Sequence, residues 1–477
     1  MRRAVAVALV AALPSCASMQ KERGHDDVSR IVQRHSGYRT GWEHGTPEDR
    51  QIADRVNQLL TGGLTRERAV SIALINSPHL QATYESLDIS QADLVQAGLI
   101  SNPTIAGSIG FPINGKGKSE YEVSIVQSFL DIFMLPLRKR VAEQQFIAAT
   151  LRVADQALDT ASEVSKAFAE TQADVETVEL MRSITDSAEA AADLAQRLFE
   201  AGNTTDRVRA SQRAVYEQVQ LDLARDEMML LEHREKLNRM LGLWGPRTTW
   251  TLASRLPGVP EQDVTPEHLE QVAMKQRLDV AAAKSEFALM DTALSMARSS
   301  RYTGVVDVGA HVHKDTDGAL LLGPTLSLEL PIFDQRQGVI GRLEAQRRQA
   351  QRHLDELAIN ARSEVRLASA KLDVTRHAAE RYKKSLLPTR ATVLEETQLE
   401  YNGMQVGLYE LLAAKQAQIE SVRSYIETVR DYWMARAELE RALGGMIPAA
   451  RVATADPPPA SKSTSPAAAP THVHGAQ

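Results

Sequence analysis

The chain changes periodicity twice in the same way, and that repetition narrows the folds open to it. In residues 326–351, LSLELPIFDQRQGVIGRLEAQRRQAQ, Leu326, Leu328 and Leu330 alternate with Ser327 and Glu329. This is the period-2 pattern of a strand with one apolar face. Pro331 and the turn-like IFD close it, and from Gln335 onward the residues are strong helix formers. Residues 121–145, YEVSIVQSFLDIFMLPLRKRVAEQQ, alternate and then turn helical likewise. Asp131 stands where Asp334 does, and 143–145 where 344–346 do. Residues 73–82 and 273–282 occupy matching places two hundred positions apart. One unit is used twice, with a period far too long for a small solenoid repeat.

The first repeat spans 64–242: a helix capped by Thr65 and interrupted at Asn76-Ser77-Pro78, a hairpin over 104–128, a long helix over 133–201 and a return helix over 206–241. A proline-rich connector, 243–266, leads to the second repeat, 267–445. That repeat has a helix, a hairpin over 305–330, a long helix over 335–402 with a kink expected at Pro388, and a return helix over 408–443. Gly202, Gly242, Gly403 and Gly444 mark helix ends. Residues 16–63 read as a polar, irregular arm, and the Pro/Ala/Ser/Thr-rich 446–477 as a disordered tail.

The fold class expected is α+β, mostly α. Each long helix of about 68 residues is on the order of 100 Å tall, and two helices of about 36 stacked end to end match it. Helices this long have no compact core to bury them, so they need neighbouring chains. The strands require the same. Val306, Val308, Ala310 and Val312, with Leu320, Leu322, Leu326, Leu328 and Leu330, form apolar faces. Glu120, Glu122, Asp307, His311, His313 and Glu329 lie on the opposite faces. Apolar outside and charged inside describes a barrel with a wet lumen. Four strands cannot close one alone, and open edges are not tolerated in lipid. The competing reading, the edge of a soluble sandwich, leaves those acids and the strand-to-helix joints unexplained.

Both charge signs are interspersed around a net charge of −6, with no basic stripe, which argues against a nucleic-acid partner. The single cysteine, Cys16, excludes an intrachain disulfide and a zinc site built on several cysteines. It follows Arg2 and Arg3, an apolar run over 4–13, and Leu13-Pro14-Ser15. That order resembles the lipobox of bacterial lipoproteins. Residues 1–15 would then be a signal peptide, and Cys16 would carry a covalent lipid. With Ala17 and Ser18 following, the resemblance implies sorting to the outer membrane. An ordinary signal peptide with an incidental cysteine is the alternative. Apart from this leader, no stretch reaches the roughly 20 apolar residues of a transmembrane helix. No HExxH, phosphate loop or GxSxG elbow occurs, so no catalytic centre, metal site or cofactor is assigned. His311 with His313, and His472 with His474, are each too few for a metal site.

LPSC at 13–16, LTRERAVSIALINSPHLQA at 64–82, QAGLISNP at 96–103, FEAGN at 199–203, LELPIFDQRQGVIGRLEAQ at 328–346 and YNGMQVGLYELL at 401–412 occur in one order. Together they resemble the outer membrane factor family, the trimeric exit ducts of tripartite efflux pumps and type I secretion systems. The LPIFDQRQG form is most similar to the branch paired with metal-cation exporters. The resemblance implies a homotrimer in the bacterial outer membrane with a large periplasmic part: a twelve-stranded transmembrane barrel continued by an α-helical barrel. It also implies a periplasmic adaptor and a proton-driven inner-membrane pump as partners, contact with outer-membrane lipid, and passive conduction rather than enzymatic activity. It assigns adaptor docking to two turns, Ala201, Gly202 and Asn203, and Gly403, Met404 and Gln405, with Met404 standing where the family usually has glycine. Tyr401 and Glu410 match gate positions, and Arg207 and Arg209 are their candidate partners; plain helix ends and a solvated helix face are the competing readings. Metal cations are the leading cargo and small toxic organics the next. A type I protein-secretion duct and a non-conducting coiled-coil scaffold are the alternatives.

Overall fold

The computed structural model describes residues 23–45, 49–113, 118–260, 268–302, 304–315 and 317–447. Cys16, the expected signal peptide over 1–15, His472 and His474 lie outside them. Elements follow in the order α1 (Arg23–Ser36), α2 (Asp49–Leu60), α3 (Arg66–Asn76), α4 (Pro78–Ala97), β1 (Thr104–Gly110), β2 (Glu120–Ser128), α5 (Phe129–Glu200) and α6 (Asp206–Leu241). The second half supplies α7 (Leu269–Gln276), α8 (Leu278–Ser299), β3 (Val306–Lys314), β4 (Leu320–Leu328), α9 (Gln337–Arg381), α10 (Leu387–Asn402) and α11 (Leu408–Ala442).

Helix α5 runs for 72 residues, on the order of 100 Å, with Pro136 inside its third turn. It begins at Phe129, four residues before the expected start, because β2 passes into it at Ser128 with no intervening loop. In the second half β4 ends at Leu328, the helix starts at Gln337, and a π-helical turn, Tyr382–Leu386, separates α9 from α10. Pro388 has no N–H, and its ring crowds the preceding turn. The widened turn just upstream accommodates it, so the expected kink takes the form of a π-bulge.

The helices form four columns. Helices α4 and α6 pack along α5; α5 also packs along α8 and α11; these in turn pack along α9 and α10. Each long helix therefore stands beside a pair of shorter ones. The α4/α6 and α9/α10 columns are left at the two sides. The core lies at mid-height, where Val70, Leu74, Leu80, Tyr84, Val153, Ala157, Leu237 and Leu241 pack together.

The break at Ser77 recurs at Arg277, where no proline forces it. Asn76 Nδ2 donates to the carbonyls of Leu241 and Gly242, 2.7 and 3.0 Å. A Cβ on Gly242, whose φ is +66°, would sit 2.4 Å from Asn76 O; one on Gly444, at φ +82°, would sit 2.8 Å from Arg277 N. Each return helix thus ends against the paired helix break of its own half.

Two expectations are corrected. The arm is not irregular, since it forms α1 and α2. Val28 and Val32, spaced i and i+4, are fully buried, while the rest of α1 is too polar for its period to stand out. The expected tail also begins too early. Ile447 is buried, and Met446 N donates to His35 O, 2.8 Å.

Candidate functional site

The four strands form one antiparallel sheet in the order β1-β2-β3-β4. Register, more than composition, sorts its faces, because side chains alternate along every strand. Val123 lies opposite Gly107 and Val312, Val312 opposite Leu322, and Val308 opposite Leu326. Ile105, Ile109, Tyr121 and Ile125 share that apolar face, and it is exposed: Ile105 is 70% and Leu322 77% accessible. On the other face Glu122 lies opposite Ser108 and His313, Ser124 opposite His311, and Ser128 opposite Asp307. Five of the six residues expected on the polar face, Glu120, Glu122, Asp307, His311 and His313, thus fall on one surface. His311 Nδ1 lies 3.1 Å from Thr325 Oγ1, above Gly323, where a Cβ would crowd the ring. Glu329 lies just beyond β4, and its carboxylate accepts from the Val305 amide at the end of the ladder, 3.2 Å.

The two helix-to-helix turns close alike. Gly202 N donates to Phe199 O and Asn203 N to Leu198 O, 2.9 and 2.7 Å; Met404 N donates to Tyr401 O and Gln405 N to Glu400 O, 3.0 and 2.9 Å. These bonds satisfy the last carbonyls of α5 and α10, and they need a left-handed residue. Gly202 supplies it at φ +75°, Met404 at φ +57°. Ala201, Gly202, Asn203, Gly403, Met404 and Gln405 are all exposed.

Near the turns Arg209 pairs with Asp206, 2.6 Å, and lies over the Phe199 ring at 5.1 Å. It is engaged within its own half, and the structure does not bring it to Glu410 or Tyr401 of the same chain. Arg207 and Glu410 are exposed, and Tyr401 is partly so. Farther from the turns the two return helices are linked: Arg423 Nη2 of α11 donates to Asp226 Oδ1 of α6, 2.8 Å, with Asp226 only 4% accessible.

Residues 69–243 match the family model described as "Outer membrane efflux protein". That match falls on the first repeat. The chain is 24% identical over 406 residues to the cobalt-zinc-cadmium resistance protein CzcC of Cupriavidus metallidurans, covering 80% of this chain and 90% of that one. Its fold matches the crystal structure of CusC with a TM-score of 0.68 at 17% identity, over 82% of this chain and 92% of that one. It matches the Campylobacter jejuni CmeC outer membrane channel with a TM-score of 0.69 at 14% identity, over 83% and 87%.

Sequence reading missed two groupings in this chain. One is the Arg423–Asp226 link, two residues 197 positions apart with no motif around either. The other joins the halves at mid-height. Arg441 of α11 contacts Asp155 and Asp159 of α5, with the Asp155 bond at 2.9 Å. Arg277, its side chain 5% accessible, pairs with Asp279 at 2.6 Å and with Glu364. Burial, only partly offset by Arg441, pushes the Asp155 carboxyl up to about 6. Asp155 Oδ1 and Arg441 Nη1 are buried with no hydrogen-bond partner.

Proposed function

We propose that this chain is an outer membrane efflux protein, the trimeric exit duct of a tripartite system, passively conducting metal cations to the outside. The observation that carries this reading is a sheet apolar on one face and polar on the other, with β1 and β4 as open edges, continuous with helices on the order of 100 Å long. Lipid accepts the apolar face only if both edges are paired. Three copies of a four-stranded sheet make twelve strands, within the range of closed outer-membrane barrels. Aromatic side chains flank the band: Phe111 and Tyr121 at one end, and Phe129, Phe133, Tyr302 and Phe333 at the other, all exposed. Such girdles mark the two interfaces of a membrane barrel.

The helical columns support the same stoichiometry. Ile359, Leu367 and Val374 of α9 are 64, 58 and 67% exposed, and Leu221 and Met228 of α6 are 63 and 54%. Spacings of seven and eight are those of a helical seam, and they lie on the outermost columns, where another copy would pack. In this reading Glu120, Glu122, Asp307, His311 and His313 line the lumen. The turns around Gly202 and Met404 meet a periplasmic adaptor that connects to a proton-driven inner-membrane pump. Tyr401, Glu410, Arg207 and Arg209 close the periplasmic mouth through contacts between copies, and a lipid on Cys16 adds an anchor. The metal cargo rests on the likeness to CzcC, whose name states cobalt, zinc and cadmium resistance.

A deletion strain tests the cargo. It should lose resistance to cobalt, zinc or cadmium and regain it with the wild-type gene. Sensitivity to organic toxicants alone, or failure to export a protein substrate, would reassign the cargo while leaving the duct in place.

A further inference from the structure

Among the described residues, Glu120, His313 and Asp315 form a group whose ligand atoms all lie within 4.8 Å of one another. Glu120 opens β2, His313 is the last but one residue of β3, and Asp315 follows its end. The register that pairs Glu122 with His313 and Tyr121 with Lys314 brings Glu120 and Asp315 opposite one another one step further on. All three fall on the polar face, at the end of the sheet away from the helices, since α5 leaves β2 at its other end. On the far side Glu120 faces Gly110. A Cβ there would be 3.7 Å from the carboxylate, so no side chain at that position covers it.

Glu120 and Asp315 bring two carboxylates together beside the His313 imidazole. Lys314 is turned to the other face, over the Tyr121 ring at 5.3 Å. Lys118 lies in the neighbouring loop beside Gly318, and Glu122, opposite His313, adds further negative charge. A first-row divalent ion binds oxygen and imidazole nitrogen at about 2.0–2.2 Å. Its ligand atoms are then about 3–4 Å apart, a closure that rotation of Glu120 and His313 can supply. Two carboxylates and one imidazole suit zinc, cobalt or nickel. Without thiolate or thioether they do not suit copper(I), and the imidazole separates the set from the all-oxygen sites of calcium and magnesium.

We propose that Glu120, His313 and Asp315 bind one divalent first-row transition-metal ion per chain on the polar face of the sheet. The site rests on the geometry of the sheet and is independent of the cargo assigned above. With its remaining positions open to water, it exchanges its ion readily.

The test is equilibrium dialysis of the full-length, untagged protein in detergent against zinc alone. His472 and His474 offer a second source of imidazole, so every protein compared carries His472→Gln and His474→Gln. The parent should bind one zinc per chain. His313→Gln and Asp315→Asn should each weaken binding at least tenfold, and His311→Gln, on the same face but outside the group, should leave it unchanged. Far-UV circular dichroism and elution volume verify that each variant is folded. No bound zinc in the parent, or equal binding in His313→Gln, overturns the site. Calcium binding that displaces zinc and survives His313→Gln overturns the assigned metal class. A protein that conducts ions yet binds no zinc overturns this proposal alone, and one that binds zinc yet never conducts overturns the duct alone.

Discussion

Met404 holds a backbone conformation that side chains resist, at φ +57°, and it is 94% exposed. A β-carbon in the left-handed region costs roughly 1–2 kcal/mol, and no burial of the Met404 side chain offsets it. Met404→Gly is therefore expected to steady the turn by about 1 kcal/mol, less the entropy glycine adds to the unfolded chain. Hydrogen exchange of the Gln405 amide, bonded to Glu400 O, should slow by up to about fivefold. Unchanged or faster exchange would contradict this. The departure from glycine is visible in the sequence. That it is the left-handed residue of the turn is not, because the adjacent Gly403 offers itself for that role and only the backbone path decides between them.

At the scale of elements, legibility followed periodicity. The strands, the long helices and the return helix α6 could be placed because a repeated pattern ran through many turns. Helix α1 could not, because only two residues of its buried stripe, Val28 and Val32 beside Gly24 and Ser36, carry apolar side chains. The second break, at Arg277, was not read from the sequence, because no proline marks it and the match of 273–282 to 73–82 was its one trace. The glycines that end the return helices read as terminators; their close approach to the breaks is tertiary and leaves no local signal. Gly242→Ala places a Cβ 2.4 Å from Asn76 O while holding φ at +66°. Strain and overlap together should cost about 2–4 kcal/mol, read as a lowered thermal midpoint. Gly245→Ala, with φ +58° and nothing within 4 Å of the added atom, isolates the backbone part and should cost about 1–2 kcal/mol. Equal losses in the two variants would show that packing against the break contributes nothing.

At the scale of the whole molecule, the two halves are joined at mid-height by Arg441, Asp155 and Asp159, well away from the sheet. The raised Asp155 pKa gives this joint a pH dependence. The folded state prefers the protonated carboxyl, so its contribution is fully present below about pH 4 and is lost as pH rises through about 6. Asp155→Asn should flatten the change in thermal midpoint between pH 4 and 7, whereas Asp159→Asn should retain it. The fold was legible at this scale because strand number and helix length both demand neighbours. The site was legible only as a face: alternation identified the polar residues of the sheet but could not bring Asp315, in a loop, beside Glu120. The central claim is that copies of this chain close into a conducting duct, and planar-bilayer recording of the purified oligomer tests it most directly. Wild-type protein should give discrete single-channel steps, brief or small while the periplasmic mouth is closed, and Tyr401→Ala should lengthen or enlarge them. A correctly folded oligomer that inserts into the bilayer yet shows no conductance, with Tyr401 intact or replaced, would contradict the account.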